Sequence, residues 1–297
     1  MTASLHGILV VDKPAGWTSH DVVGWVRRWA GERKVGHAGT LDPAATGVLP
    51  VALNDGTKVL EFLSDATKAY HAEITFGIET DSADGDGTVT AVRDVSLTDA
   101  ELGRALDAFR GEISQRPPAH SAIRIGGKRA YDLARAGLDV EVPERIVTIY
   151  DLTVADRTET SISLSIDCSK GTYIRSIARD LGAMLGCGAY LSNLVRTRSG
   201  PFTLCDAWTT IELEALDPRD SWALIAEHPD AALPGWPAIL LSDAESEEWR
   251  HGRPIPVTEP PAHGMARVYD NEGRWRGLAE HDRDRDVWRA LRVINPS

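Results

Sequence analysis

The sequence predicts an α+β protein, a large mixed region followed by a small β-rich module, on three observations. Short apolar runs of strand length are interleaved with amphipathic helical segments along the first two hundred residues. After Trp236 the pattern changes to short strand candidates separated by turns. The chain has 297 residues, 42% apolar and 26% charged, enough to close a real core.

Gly7-Ile8-Leu9-Val10-Val11, closed by Asp12-Lys13-Pro14, reads as a buried strand entering a turn. Ser19 or Asp21 is placed to cap a helix whose apolar face is Val22, Val23, Val26 and Trp29. Residues 36–47 hold too many helix and strand breakers for a regular element and predict an ordered loop. Val48 to Leu53 predicts a strand, Thr57 to Leu63 a short helix, and Lys68 to Gly77 a strand, followed by an acidic, Gly-rich turn over 81–87. Thr98 to Phe109 predicts a helix, with Thr98 and Glu101 spaced as a capping box. Residues 112–143 differ in texture: they are basic, begin with Arg116-Pro117-Pro118, contain Gly126-Gly127 and read as a mobile insertion. Ile146 to Ala155 and Ser161 to Cys168 are strand-like, and Gly171 to Leu185 predicts a helix with Ile174, Ile177, Ala178 and Leu181 on one face. Residues 205–248 read as an acidic helical connector punctuated by prolines. The last module offers strands at Pro254–Val257, Met265–Tyr269, Trp275–Ala279 and Trp288–Ile294.

A formal charge of -12 argues against a nucleic-acid partner until its distribution is considered. Residues 205–248 carry eleven acids against one base, Arg219, whereas residues 110–135 carry six bases against Glu112 and Asp132. Phosphate contact depends on the local patch within a Debye length of ~8–10 Å, so the sum over the chain does not decide it. Cys168, Cys187 and Cys205 are too few for a disulfide framework and have no metal-ligand spacing, which makes a reducing cytoplasm the simplest compartment. No apolar run approaches the ~20 residues of a membrane span, and the N-terminus does not read as a signal peptide.

Several residues could carry chemistry, each with a plainer reading beside it. Asp42, before Pro43 in the Gly-rich loop, either presents a carboxylate into a cleft or caps a turn. Arg175, near the start of a helix, opposes the helix dipole; it is either a surface arginine or the partner of an anion elsewhere. Tyr70 on its strand is either a functional aromatic or sheet packing, and His37 lacks a second ligand at metal spacing. Arg124, Lys128, Arg129 and Arg135 form either a solvated face or a flexible phosphate clamp. There is no Walker A loop and no Gly-x-Gly-x-x-Gly after a strand.

Taken together, the motifs resemble the TruB family of bacterial tRNA pseudouridine synthases. The likeness runs through residues 7–14 and 36–47, Lys68-Ala69-Tyr70, the acidic stretch 80–87 and Arg116-Pro117-Pro118. It continues through Ser121-Ala122-Ile123, Gly171-Thr172-Tyr173-Ile174-Arg175 and Leu194-Val195-Arg196-Thr197. The resemblance implies a catalytic domain over 1–235 with a mixed, largely antiparallel central sheet, a thumb-like insertion at about 112–143 and an acidic connector at about 205–235. It implies an RNA-binding module of PUA type over 236–297. By the same resemblance Asp42 is the catalytic aspartate, Tyr70 the aromatic against the target base and Arg175 the partner of the aspartate. His37, Tyr173 and Leu194 fall at positions that contact the flipped nucleotide and Lys13 at a lysine that supports the cleft, while the thumb places the basic residues Arg124, Lys128 and Arg129 as RNA-backbone candidates on their charge. Ala38 stands where a threonine is common and His120 where a tyrosine is common.

The implied activity is isomerisation of uridine 55 in the T loop of tRNA. The bond from ribose C1′ to uracil N1 breaks, the base turns, and C1′ is rejoined through C5. The base must be extruded to be reached. The product is an isomer, so no metal, nucleotide or organic cofactor is called for. The expected partner is the T stem-loop of tRNA, with no membrane and no obligate protein partner, and the expected state is a cytoplasmic monomer. Asp42 has three open roles: attack on C6, attack on C1′, or removal of a sugar proton. A glycosidase would need a second carboxyl about 5–5.5 Å away, and no second acid is evident in the motifs. An RNA chaperone would work without Asp42.

Overall fold

The computed structural model describes residues 4–118, 142–258 and 263–294, together with the backbone of 124–125 and 128–129. Eleven strands build one sheet. Along its main path lie β1 (Gly7–Lys13), β3 (Thr46–Leu53), β4 (Lys68–Phe76), β7 (Gly111–Gln115), β10 (Arg145–Arg157), β11 (Ser161–Cys168), β12 (Ala189–Ser199) and β14 (Trp208–Thr209). Their spatial order is β14-β1-β3-β12-β4-β11-β10-β7, with β2 (Val35–His37) on β3, β13 (Phe202–Thr203) on β12 and β15 (Ala226–Glu227) on β1. Only β1/β14 and β3/β12 are parallel within it, so the sheet is mixed and largely antiparallel.

The helices cover this sheet with their apolar stripes. Helices α3 (Asp99–Asp107) and α4 (Ile174–Leu185) pack Leu102, Leu106, Ile177 and Leu181 against Ile74, Leu164 and Ile166. Helix α1 (Ser19–Ala30) packs Val22, Val23 and Val26 against Leu9, Val11, Leu49 and Val51. Its N-cap is Thr18, with Asp21 completing a capping box, rather than Ser19 or Asp21 itself. The Ser19 hydroxyl is engaged elsewhere, accepting from Leu41 N at 2.9 Å. The capping box at Thr98 and Glu101 forms as its spacing predicts. Helix α4 starts three residues later than expected, because Gly171 takes a left-handed φ of +79° that no α-helix admits.

The acidic segment is less helical than its sequence predicts. Besides α5 (Thr210–Glu214), α6 (Pro218–Ile225) and α7 (Asp243–Arg250), it supplies β14 and β15 to the edge of the large sheet. It also supplies β16 (Ala238–Leu241) to a second sheet. That sheet has the order β16-β18-β19-β20-β17, formed with β17 (Ile255–Pro256), β18 (Met265–Asp270), β19 (Trp275–Asp282) and β20 (Val287–Val293). Trp275, Leu278 and Ile294 pack with Ile8, Val10 and Leu63, so the two sheets share an apolar layer. The basic segment begins inside the large sheet, since β7 pairs with β10 from Gln115↔Arg145 to Gly111↔Ile149. Two short ladders stand apart from both sheets: β5 (Ile78–Thr80) with β6 (Val89–Val92), and, beyond Pro118, β8 (Arg124–Ile125) with β9 (Lys128–Arg129). The other residues of 119–141, His120 and Arg135 included, lie outside the described residues.

Candidate active site

The site is built where the parallel pair β3/β12 meets the loop at residues 38–45. Asp42 lies in that loop, which is laced to the turn after β1. Lys13 Nζ donates to the carbonyls of Pro14 (2.9 Å), Trp17 (2.6 Å) and Pro43 (3.1 Å), Gly16 N donates to Pro43 O, and Ser19 Oγ bonds both backbone groups of Leu41. The backbone on both sides of Asp42 is thereby fixed. Gly47 permits the close approach of the two strands. Its φ is +100°, and a Cβ there would lie 2.3 Å from the carbonyl oxygen of Arg196.

Arg175 enters from the second residue of α4 and explains why a cation tolerates that end of the helix. Its Nη2 lies 3.1 and 3.0 Å from the two carboxylate oxygens of Asp42, and its Nη1 lies 3.2 Å from Oδ2 of Asp84. The Arg175 side chain is 6% exposed and Asp42 is 42% exposed, so the carboxylate faces an opening while its partner is buried. Burial raises the Asp42 pKa above the ordinary value; Arg175 opposes the rise, Asp84 and Asp86 add to it, and Lys13 opposes it more weakly. Desolvation therefore outweighs the arginine: Arg175 orients Asp42 without bringing its carboxyl below the usual range.

Tyr70 and Arg196 are cross-strand partners in the β4/β12 ladder, with the Tyr70 hydroxyl against the guanidinium. Arg196 is 1% exposed, and it also donates from Nε to Val48 O at 2.7 Å and from Nη2 to Gly39 O at 3.0 Å. A buried charge needs such partners. Burial raises the Tyr70 phenol, with Arg196 pulling it back down. Two residues before Tyr70, Lys68 closes the end of α2 (Leu60–Asp65) by donating to the carbonyls of Leu63, Ser64 and Ala66.

The expected nucleotide-contacting residues divide by position. His37 ends β2, its Nδ1 is buried without a partner among the described residues, and burial with the nearby His20 and Arg196 lowers its pKa to about 4. Tyr173 precedes α4; Gln115 receives its N–H at 2.7 Å and donates to its carbonyl at 3.0 Å, and Arg145 lies 5.0 Å over its ring. Leu194 shares a packing cluster with Leu41, Ala45 and Tyr70. Lys13, expected to support the cleft, is 0% exposed and bonded to three carbonyls, and so braces the loop that carries Asp42. Burial lowers its pKa to about 8, with Asp42 acting the other way. The side chains of Arg124, Lys128 and Arg129 lie outside the described residues.

Two site residues had no role assigned from sequence. Arg196 sits two residues from Leu194 on a strand, in phase with buried positions, and a charge at a core phase was the available signal. Asp84 belongs to the acidic turn. Ala83 at φ +59° and the bond from Leu191 N to Ala83 O fix that turn against β12. Asp84 overturns the expectation that no second acid is near. Its Oδ1 accepts from Ser82 Oγ and Asp86 N while Oδ2 faces Arg175, so both oxygens are occupied by protein and neither is left to deliver a proton.

Residues 27–174 match the model for the TruB family pseudouridylate synthase N-terminal domain. Residues 175–224 match the tRNA pseudouridylate synthase B C-terminal domain, and 237–289 match the pseudouridine synthase II TruB C-terminal model. The chain is 40% identical over 284 residues to tRNA pseudouridine synthase B of Pseudomonas fluorescens strain Pf0-1, covering 95% of this chain and 93% of that one. It is 44% identical over 276 residues to the protein of that name from Aromatoleum aromaticum strain EbN1, covering 93% and 89%. Among solved structures, a box H/ACA ribonucleoprotein bound to a substrate RNA containing 2′-deoxyuridine superposes with a TM-score of 0.75 at 23% identity, over 98% of this chain and 86% of that one. A Cbf5–Nop10–Gar1 complex gives 0.73 at 24% identity, over 98% and 84%. At that identity the likeness is one of fold.

Proposed function

The chain belongs to the TruB family of pseudouridine synthases, and from that premise we propose that it converts uridine 55 in the T loop of tRNA to pseudouridine, with Asp42 as the essential group. The observation that carries the assignment to this site is the pairing of a partly open Asp42 with a buried Arg175 in a loop braced on both sides. Such an arrangement presents one carboxylate at a fixed position and angle, which is what an extruded base requires. The Tyr70 ring supplies a face for that base, and its hydroxyl is held by Arg196 from the neighbouring strand.

The reaction then proceeds within one nucleotide. Asp42 in its carboxylate form assists departure of N1 from C1′, the uracil turns in the pocket, and C5 bonds to C1′. The proton on C5 leaves, and N1 ends the reaction protonated. His37 stays neutral at physiological pH, because its pKa lies near 4, and presents an uncharged imidazole to a neutral base. The test is incubation of a T stem-loop RNA with the protein, followed by carbodiimide labelling, which marks pseudouridine after alkaline removal of uridine adducts. A label at the target position without change of RNA mass is the expected result. Release of free uracil would identify a glycosidase instead.

A further inference from the structure

The ladder between β7 and β10 ends on one rung, Gln115 opposite Arg145, and both residues of that rung reach Tyr173. Gln115 holds the backbone. It is 1% exposed, its Oε1 accepts from Tyr173 N at 2.7 Å, and its Nε2 donates to Tyr173 O at 3.0 Å. Tyr173 is the N-cap of α4 and makes no side-chain cap bond, so the start of this helix depends on neighbours for its anchorage. Arg116 adds to it: its carbonyl accepts from Ser176 Oγ at 2.9 Å and from Arg179 Nη2 at 3.0 Å. The turn that carries Arg175 is thereby tied to the end of β7.

Arg145 holds the ring. Its guanidinium carbon stands over Tyr173, 5.0 Å from the ring centroid. Gly171 leaves room for it, since a Cβ there would lie 3.0 Å from Arg145 Nη1. Among the described residues Arg145 makes no hydrogen bond and no ion pair, and its Nη2 is buried without a partner. Burying an N–H unpaired costs stability, and no bond to the described residues offsets that cost. The face of Tyr173 is the contact that remains to keep the guanidinium in place. Arg145 covers one side of a half-buried ring and leaves the other side for a ligand.

We propose that Arg145 is a positioning residue for the isomerisation: it backs the Tyr173 ring while Gln115 fixes the Tyr173 backbone, so that the opposite ring face is a preset wall for the extruded uracil. The inference rests on the reading of the chain as a uridine-55 synthase with Tyr173 at the flipped nucleotide. The uracil has to turn while C5 replaces N1 at C1′, and a wall fixed in advance keeps the base in the plane from which C5 can bond. Tyr173 lies two residues before Arg175, so one short segment sets both this wall and the partner of Asp42. Arg145 acts through Tyr173 and not on the reacting atoms.

Arg145→Met keeps the length of the side chain and removes the cation, whereas Arg145→Lys keeps a cation without the planar group. Each is made alone and with Tyr173→Leu. The measurements are single-turnover rates at saturating synthetic T stem-loop RNA, Kd across a range of salt, and melting temperature. Arg145→Met is expected to slow the single turnover at least tenfold with Kd within threefold of wild type, and Arg145→Lys to lose at least threefold less. In the Tyr173→Leu protein either substitution is expected to cost less than twofold, because no ring is left to position. A merely structural arginine would lower the rate by the same factor in both backgrounds. That additivity, or wild-type rates for Arg145→Met or Tyr173→Leu, would overturn the role. A raised Kd with a flatter salt dependence and an unchanged rate would also overturn it, by making Arg145 a phosphate contact. If Arg145→Met fails to fold, Arg145→Lys in the two backgrounds decides the matter by the same criterion. Absence of pseudouridine with the wild-type protein would overturn the proposed reaction and this role with it, whereas pseudouridine formed with additive losses overturns the role alone.

Discussion

Nη1 of Arg175 lies 3.2 Å from Oδ2 of Asp84 while Nη2 of the same guanidinium holds Asp42. One cation thus joins a carboxylate that faces the cleft to one anchored in the acidic turn. The two acids act on each other through it, because Asp84 raises the pKa of Asp42 and Arg175 lowers it.

That opposition makes the pH profile diagnostic. With ionised Asp42 as the active form, kcat/KM rises with pH through the raised pKa of Asp42. Asp84→Asn removes a raising charge and is expected to move this acid limb to lower pH. Arg175→Met removes the lowering charge and is expected to move it to higher pH, with activity reduced at every pH. Measurement of kcat/KM from pH 4 to 9 checks both, and shifts in the same direction would remove the coupling.

Asp42→Asn is expected to abolish pseudouridine formation while leaving tRNA affinity within about tenfold, or ~1.4 kcal/mol. The same substitution is expected to stabilise the fold at neutral pH. A carboxyl whose folded pKa is raised contributes most stability below its unfolded pKa of about 3.9, and loses that contribution as pH rises through the folded value. The melting temperature of Asp42→Asn should therefore exceed that of wild type at pH 7–8, and the gap should close below about pH 4. A variant less stable than wild type at pH 8 would contradict the raised pKa.

The sequence revealed the ends of this arrangement better than its middle. Arg175 stood out because a cation at a helix N-terminus opposes the dipole, whereas Asp42, before a proline in a Gly-rich loop, fits an ordinary turn and was singled out by the family resemblance. Strands such as Ser161–Cys168 showed in their apolar alternation. Strand β12 carries Arg196, yet its alternation is interrupted by shifts of register at Leu191/Asn193 and Arg196/Arg198, and by Ser192, Asn193 and Arg198. The role of Arg196 depends on β12 lying between β3 and β4, a juxtaposition of segments more than a hundred residues apart that periodicity does not encode. Asp84 was hidden among similar acids, and only the turn geometry distinguishes it.

Tyr70 is expected to act first through its ring and second through its hydroxyl. Tyr70→Phe keeps the face for the base but deprives the buried Arg196 of a partner, so kcat should fall with modest loss of stability. Tyr70→Leu loses both ring and hydroxyl and should be nearly inactive. Single-turnover rates with the T stem-loop distinguish the two, and a Tyr70→Leu rate equal to wild type would exclude the aromatic role.

His37 is expected to remain neutral throughout the working range. Its pKa of about 4, against about 6.5 unfolded, means that the unfolded chain binds more protons between those values. Stability from this residue is present above the unfolded pKa and lost as pH falls towards 4. The His37 ring resonances should not titrate between pH 5 and 8, and His37→Gln should flatten the stability slope from pH 6.5 to 4. A His37 midpoint near 6.5 would place the ring in solvent.

The remaining prediction concerns how a chain of charge -12 holds RNA. Arg124, Lys128 and Arg129 fall in the basic stretch 110–135, and the ladder pairs Arg124 with Arg129 and Ile125 with Lys128. If these bases meet phosphates, each contact displaces a counterion, and log K falls with log salt by about 0.7–0.9 per contact. Replacing all three with glutamine should therefore weaken binding for every RNA sequence and flatten the salt slope by about 2–3. The eleven acids of 205–248 give the contrasting control. Neutralising several of those exposed on α7, such as Glu247 and Glu248, should leave the slope unchanged, since an acid that meets no phosphate releases no counterion. Titrations of the T stem-loop from 50 to 300 mM salt compare the proteins directly. An unchanged slope in the triple variant would place the phosphate contacts elsewhere.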